Sequence, residues 1–270
     1  QHLSVTDRAT ICNMGAELGA TTSIFPSDKN TLKYLTQQER PQDYLELSAD
    51  KDAQYDLEMV IDLSELNPMV AQPHMPDNVV EVKSVQGLKV DQVAVGSCTN
   101  SSYTDMMKVV SILKGKTIHP DVSLVISPGS ANILRLLSEN GGLSTLISAG
   151  ARILESSCGP CIGMGQAPRS NGISVRSFNR NFKGRSGTAN AQVYLVSPET
   201  AAASALMGVL TDPSDLNLEF NIQEPESFGH VDGYFIYPSE NPDSIKIALG
   251  PNIQPFPKAN PLEDGFNRKV

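Results

Sequence analysis

Between residues 79 and 213, apolar runs of strand length alternate with helical segments, which restricts this part of the chain to a largely parallel sheet with helices on both faces. Residues 90–95, 122–126, 152–154, 173–178 and 193–196 read as strands. Residues 103–113, 131–138 and 143–148 read as helices, as does a segment starting at Ser197-Pro198 and running through Met207. That start pairs an N-cap serine with proline in the first turn. The predicted class is α/β.

Upstream, residues 4–19 form a helical pattern that Ser4 or Thr6 can cap and Gly19 can end, with Ile11, Met14 and Leu18 at helical spacing. Asn13 and Glu17 lie one turn apart and share a face, which periodicity alone assigns to solvent. Residues 21–25 read as a short strand, 31–37 as a helix and 55–63 as a half-buried strand. Pro68, Pro73 and Pro76 make residues 66–78 a connector. After Thr211 the alternation stops; LEFNI, GYFIY and IKIAL within residues 218–249 predict a small β element, and the proline-rich residues 251–264 a linker. The expected organisation is 1–78 as the end of one α/β unit, 79–213 as a second, and 214–270 as a small β element and linker. A helix within a few residues of Gln1, and a stop at Val270 soon after the linker, predict a segment of a longer protein.

Three of the four cysteines follow predicted strands: Cys98 in VGSCTNSS, and Cys158 and Cys161 in SSCGPCIG. The carboxyl edge of an open α/β sheet is where ligands bind, so residues far apart in sequence can meet there. Soft thiolates suit zinc or iron–sulfur centres. A redox dithiol normally starts a helix and needs no third cysteine. Structural zinc takes four ligands. Cys12 falls inside the apolar pattern of the first helix and reads as a buried, inert thiol; His2, His74, His119 and His230 fall in predicted loops away from the cysteines. Three thiolates without an evident fourth ligand favour a cluster with one metal left open, as Lewis-acid catalysis requires. Structural zinc in a binding module remains the alternative.

The chain carries a net charge of −9, which argues against general affinity for nucleic acid or an anionic membrane. Four cysteines in 270 residues do not make a disulfide scaffold and point to a reducing compartment. No signal-peptide pattern opens the sequence, and no apolar run approaches the roughly 20 residues of a membrane span. The distribution of charge is more telling than its total. Residues 156–198 contain no Asp or Glu, yet Arg169, Arg176, Arg180, Lys183 and Arg185 all lie there. An acid-free basic stretch in an acidic protein reads as a local anion site. The alternative is that several of these arginines pair with acids elsewhere. Guanidinium groups match carboxylates bidentately, so Asn179-Arg180-Asn181-Phe182-Lys183-Gly184-Arg185 reads as a site for an acidic small molecule.

SVTDRATICNMGAELGATTSIFP, VGSCTNSSYTDM, SSCGPCIG, SFNRNFKGR and VYLVSPETAAASALMG together resemble the aconitase family over most of residues 3–213. GSCTNS and NRNFxGR are shared with isopropylmalate dehydratase and homoaconitase, whereas CNMGAE with CGPCIG looks more like aconitase. The resemblance implies three-layer αβα units with a doubly wound parallel sheet, and a [4Fe–4S] cluster held by Cys98, Cys158 and Cys161. It implies that Asn13 and Asn179 contact the cluster surroundings, that Glu17 hydrogen-bonds near the iron-bound oxygen, and that Arg180 and Arg185 hold substrate carboxylates. Glu17 and Asn13 thereby become site residues on the strength of the family alone. The implied activity is a hydro-lyase interconverting citrate and isocitrate through cis-aconitate, in the bacterial cytoplasm or mitochondrial matrix. Isopropylmalate or homocitrate is the alternative substrate. The implied partners are a tricarboxylate and the family's remaining domains, which carry the proton-abstracting base. RNA binding, known for some aconitase-like proteins, is the reading from another class. Only Phe178 and Phe182 stand among the arginines, too few aromatics for a stacking surface.

Overall fold

The computed structural model describes residues 2–246 and 248–261. The strands are β1 (Met69–Ala71), β2 (Val79–Glu81), β3 (Gln92–Gly96), β4 (Ser123–Ser127), β5 (Arg152–Ile153), β6 (Ile173–Arg176) and β7 (Gln192–Leu195). The α-helices are α1 (Val5–Gly15), α2 (Lys29–Gln37), α3 (Tyr103–Leu113), α4 (Ala131–Glu139), α5 (Gly142–Ser148) and α6 (Pro198–Met207). The strands form one mixed sheet in the order β2-β1-β7-β6-β3-β4-β5. The β3 to β7 pairs are parallel, and the short β1 and β2 are antiparallel additions at one edge. From β3 the chain winds outward through β4 and β5, then crosses back to β6 and winds the other way to β7. The sheet is therefore doubly wound, and its direction reverses between the paired strands β3 and β6.

One face of this sheet is apolar. Val93, Val95, Leu124, Ile126 and Val175 pack against Met106, Val109, Ile112 and Leu113 of α3 and Ala201, Ala202 and Ala205 of α6. Removing each of these Val, Leu, Ile and Met side chains from water contributes about 1.5–3 kcal/mol, so this face carries most of the stability. The small alanines of α6 let that helix lie close to both α3 and β3. Serines start α1, α3, α4 and α6: Ser4 and Ser102 form capping boxes with Asp7 and Asp105, while Ser130 and Ser197 cap α4 and α6.

The opposite face differs. Ala94, Val125 and Phe178 make a small apolar cluster there, beside the buried polar residues Gln92, Ser174 and Arg176. A right-handed return from β5 to β6 must pass over this face. The returning segment, CGPCIGMGQAP, has too much glycine and proline for a helix and makes a single 3-10 turn, Gly159–Ile162. Over β3 and β6 the layer is thus built by loop backbone.

Other elements depart from expectation. Residues 21–25 and 55–63 form no strand, and Leu57, Met59 and Val60 of the second run are exposed. Alternating apolar residues need a sheet edge to pair with, and neither run has one. The connector 66–78 contains β1, whose Ala71 pairs with Leu195, so the sheet includes chain on both sides of residue 78. Ile11 and Leu18 are exposed and Cys12 is half-buried; the positions α1 buries are Arg8 and Gly15. Polar contacts, not an apolar stripe, hold that helix. The chain divides into two compact units, Gln1–Val231 and Asp232–Val270. The described part of residues 218–249 holds only short 3-10 turns, Asp232–Tyr234 and Pro242–Ser244, in place of the small β element. Ile247 of IKIAL and residues 262–264 of the linker lie outside the described residues. No helix among the described residues is long and apolar enough to cross a membrane.

Two substitutions test this framework. Gly96 ends β3 at φ +126°, and a Cβ there would stand 1.8 Å from the Ser127 carbonyl oxygen. Gly96→Ala must therefore distort the β3–β4 pair, and a loss of about 3 kcal/mol or more is expected in denaturant titration. A loss below 1 kcal/mol would contradict that steric reading. At the other end, Arg8 donates to Asp28 at 2.7 Å, and this hydrogen bond leads the effects that lower the Asp28 pKa to about 2. A carboxylate so held stabilises the fold above its unfolded pKa and loses that contribution as pH falls through the folded one. Asp28→Asn should lower Tm at neutral pH, and the gap from wild type should close between about pH 4 and pH 2. A gap that stays constant over that range would rule out the ion pair as its source.

Candidate metal centre and anion pocket

The direction reversal between β3 and β6 opens a crevice at their carboxyl ends, the position at which open α/β sheets bind ligands. Ser97, Cys98, Cys158, Cys161, Phe178, Asn179, Arg180 and Arg185 line one pocket there. Cys98 arrives from β3 through a tight turn in which Ser97 and Asn100 take positive φ values of 81° and 52°. Asn100 donates to the Ser177 carbonyl at 2.8 Å, and Ser177 Oγ accepts from the Gly96 amide at 3.0 Å, so the β3 and β6 loops brace each other. Cys158 immediately precedes the 3-10 turn after β5, and Cys161 lies within it. Gly163 ends that turn at φ +87°, where a Cβ would meet the Ser186 carbonyl at 2.3 Å. Ser127 Oγ donates to the Glu155 carbonyl at 2.9 Å, fixing the loop to the end of β4.

The four cysteines are free thiols: Cys98 and Cys158 exposed, Cys161 and Cys12 half-buried. Cys12 is absent from the pocket lining. Burial pushes the Cys161 thiol up. A hydrogen bond with Ser97 opposes that shift, the neighbouring Cys158 and Cys98 thiols reinforce it, and Arg176 opposes it.

Asn179 ties three segments together. Its side chain accepts from Thr99 of the Cys98 loop and donates to Asn13 of α1. Arg180 donates through Nε to Glu17 of the 3-10 turn that follows α1. Glu17 and Asn13 therefore both face the β6 loop. The solvent-facing reading from periodicity fails because α1 lies across the sheet's carboxyl edge. Among the described residues the two Nη groups of Arg180 have no hydrogen-bond partner, and the Arg185 side chain has none. The Arg185 Nε is buried as well as unpaired. A buried donor without an acceptor is costly, and an anionic ligand would supply one.

The basic stretch as a whole is not a single anion site. Arg169 pairs with Asp91 at 2.6 Å, and Arg176 is fully buried among neutral acceptors. Lys183 is exposed and absent from the pocket lining. Ser97, Thr99 and Ser177 are contacts that the sequence did not single out, and Arg176 stood in the basic stretch but not as a contact of the cysteine loop. The signal for Arg176 was present: polar residues at alternate positions, Ser174 and Arg176, share one face of an otherwise apolar strand.

Fold and site define a class: a doubly wound α/β domain with three thiols and two arginines at its switch point. Residues 1–208 match the aconitase family (aconitate hydratase), and the chain belongs to that family. It is similar to 3-isopropylmalate dehydratase large subunit 2 of Archaeoglobus fulgidus, 41% identical over 216 residues, 80% of this chain and 52% of that protein. It is also similar to large subunit 1 of the same enzyme from Methanopyrus kandleri, 42% identical over 218 residues (79% and 51%). The Thermotoga maritima large subunit 1 is 42% identical over 216 residues (79% and 52%). The chain spans about half the length of these curated relatives. They carry a different name from the aconitate hydratase that CNMGAE and CGPCIG favour.

Proposed function

We propose that this chain carries the cluster-binding and carboxylate-binding part of a hydro-lyase that dehydrates 3-isopropylmalate, the substrate in its relatives' names, in place of citrate. The observation that carries the reading is the pocket itself, in which three thiols and two arginines with unpaired donors converge from three strand ends. Among the described residues no three His, Cys, Asp or Glu side chains gather closely enough to hold a single metal ion. Thiols spread around one pocket suit a polynuclear centre in which each thiolate meets a different iron. Cys98, Cys158 and Cys161 would hold a [4Fe–4S] cluster, which when bound supplies a Lewis-acidic iron to polarise the leaving hydroxyl.

The remaining roles belong to the protein. Arg180 and Arg185 clamp substrate carboxylates, and the charge-assisted hydrogen bonds orient the carbon skeleton. Glu17 holds Arg180 by its Nε, which leaves the two Nη groups for substrate. Asn13 and Asn179 lock α1 to both loops and keep that geometry rigid. Glu17 is engaged in this pair, so the base for the carbon-bound proton comes from another part of the protein or from a partner subunit. The name "large subunit" in the relatives points to such a partner. A reducing compartment, bacterial cytoplasm or mitochondrial matrix, suits the free thiols.

The test is to reconstitute the whole natural protein anaerobically with iron, sulfide and its partner subunit. Its turnover of 3-isopropylmalate and of citrate is then followed through the ultraviolet absorbance of the unsaturated product. Turnover of 3-isopropylmalate with little on citrate is expected. The reverse preference would restore the aconitate hydratase reading, and zinc in place of iron and sulfide would overturn both.

A further inference from the structure

Arg176 has no part in the reaction above, yet it is the largest fully buried side chain of the structure. Its Nη1 donates to the Pro160 carbonyl at 2.6 Å, its Nε to Ser174 Oγ at 2.8 Å, and its Nη2 to Gln92 Oε1 at 2.8 Å and the Gln166 carbonyl at 3.3 Å. Gln92 reinforces the set by accepting from Ser174 Oγ at 2.7 Å and donating to the Ala167 carbonyl at 3.2 Å. This network grips the cysteine loop from Pro160 to Ala167 from beneath. The Phe178 ring, which lines the thiol pocket, lies 5.3 Å from the guanidinium carbon.

Every acceptor in this network is neutral. Among the described residues no carboxylate pairs with Arg176, although it is fully buried. Arginine nevertheless keeps its proton in a protein, and a buried cation needs a counter-charge. A neutral side chain could pin the loop as well without that cost. The arrangement balances only when the thiols above it are anionic, as they are when they hold metal.

We propose that Arg176 is a positioning residue for the thiolate centre: it fixes the Cys158–Cys161 loop and places a permanent positive charge beneath it that raises the centre's reduction potential. The proposal rests on the cluster reading above. A positive charge close to a cluster favours the reduced, more negative state.

Three variants of the whole natural protein separate charge from clamp. Arg176→Lys keeps the charge and loses the fork, Arg176→Gln loses both, and the isosteric Gln92→Glu leaves the arginine in place and neutralises it with a carboxylate. Circular dichroism and thermal unfolding of the metal-free proteins identify any variant that fails to fold. Iron and sulfide are then measured, and the cluster is reduced by one electron with dithionite and followed by electron paramagnetic resonance. The expected result is a potential close to wild type for Arg176→Lys, and more negative potentials for Arg176→Gln and Gln92→Glu. Cluster loss to a chelator should be several-fold faster in the Arg176 variants. Equal potentials in all folded variants would overturn the charge role, and cluster loss rates equal to wild type would overturn the clamp. A wild-type protein that takes up no iron and sulfide would instead overturn the cluster reading itself.

Discussion

Cys158→Ser should abolish iron–sulfur incorporation while leaving the metal-free fold intact. Cys158 is exposed and stands before the 3-10 turn, so the substitution removes little packing. Its side chain makes no capping hydrogen bond to that turn, and exposed substitutions of that kind usually change stability by about 0.5 kcal/mol or less. A serine hydroxyl is a poor ligand for soft iron, and among the described residues no further cysteine lines the pocket, Cys12 being outside it. Iron and sulfide should fall well below the wild-type stoichiometry under identical anaerobic loading. Turnover should fall by on the order of a thousandfold, the scale of several kcal/mol of Lewis-acid stabilisation. The metal-free Tm should stay within a few degrees of wild type. A fully loaded, active Cys158→Ser protein would remove this cysteine from the ligand set.

Arg180→Lys should leave cluster content unchanged and lower kcat/KM. Lysine keeps the charge but presents a point donor, so it cannot hold Glu17 through one nitrogen and a carboxylate through the other two. The loss of one charge-assisted hydrogen bond is worth about 2 kcal/mol, or roughly thirtyfold in kcat/KM. Glu17→Gln should cost less than Arg180→Lys, because the amide oxygen still accepts from Nε. In the double variant the two effects should fall short of additive, because Glu17 acts through Arg180. Strict additivity would separate the two residues and leave Glu17 without its orienting role.

Both predictions join residues that are distant along the chain, and they show where sequence reading reached and where it stopped. Helix α3 matches its predicted bounds because local chemistry determines it: the Ser102 capping box starts it, and its apolar positions face the sheet. β3, β4, β6 and β7 are similarly legible as short apolar runs. The thiols and arginines were legible as chemistry, since few residue types bind soft metals or planar carboxylates. Their sharing of one pocket was legible only through the rule that strand ends gather ligands and through family resemblance.

The failures have one cause. Residues 55–63 carry a strand's alternation and form no strand; Met69–Ala71, in a stretch broken by prolines, becomes one. A strand exists only where another strand offers hydrogen bonds, and no local pattern encodes that partner. Ile11 and Leu18 have helical spacing but no apolar surface opposite them, so α1 is held through Arg8, Asn13 and Glu17 instead.

By itself, then, the sequence determined the α/β class, the positions of α2 to α6 and of the parallel strands, and the residue types able to bind soft metal and carboxylate. These follow from interactions within a few residues. Resemblance marked Asn13 and Glu17 as site residues, but the tertiary structure alone decided that they bond Asn179 and Arg180, that Arg169 is spent on Asp91, and that Arg176 lies beneath the cysteine loop while Arg185 keeps a buried, unpaired donor in the pocket. The reversal of winding between β3 and β6 brings those groups together. That reversal arises from strand pairing across about 80 residues, which spacing along the chain does not record.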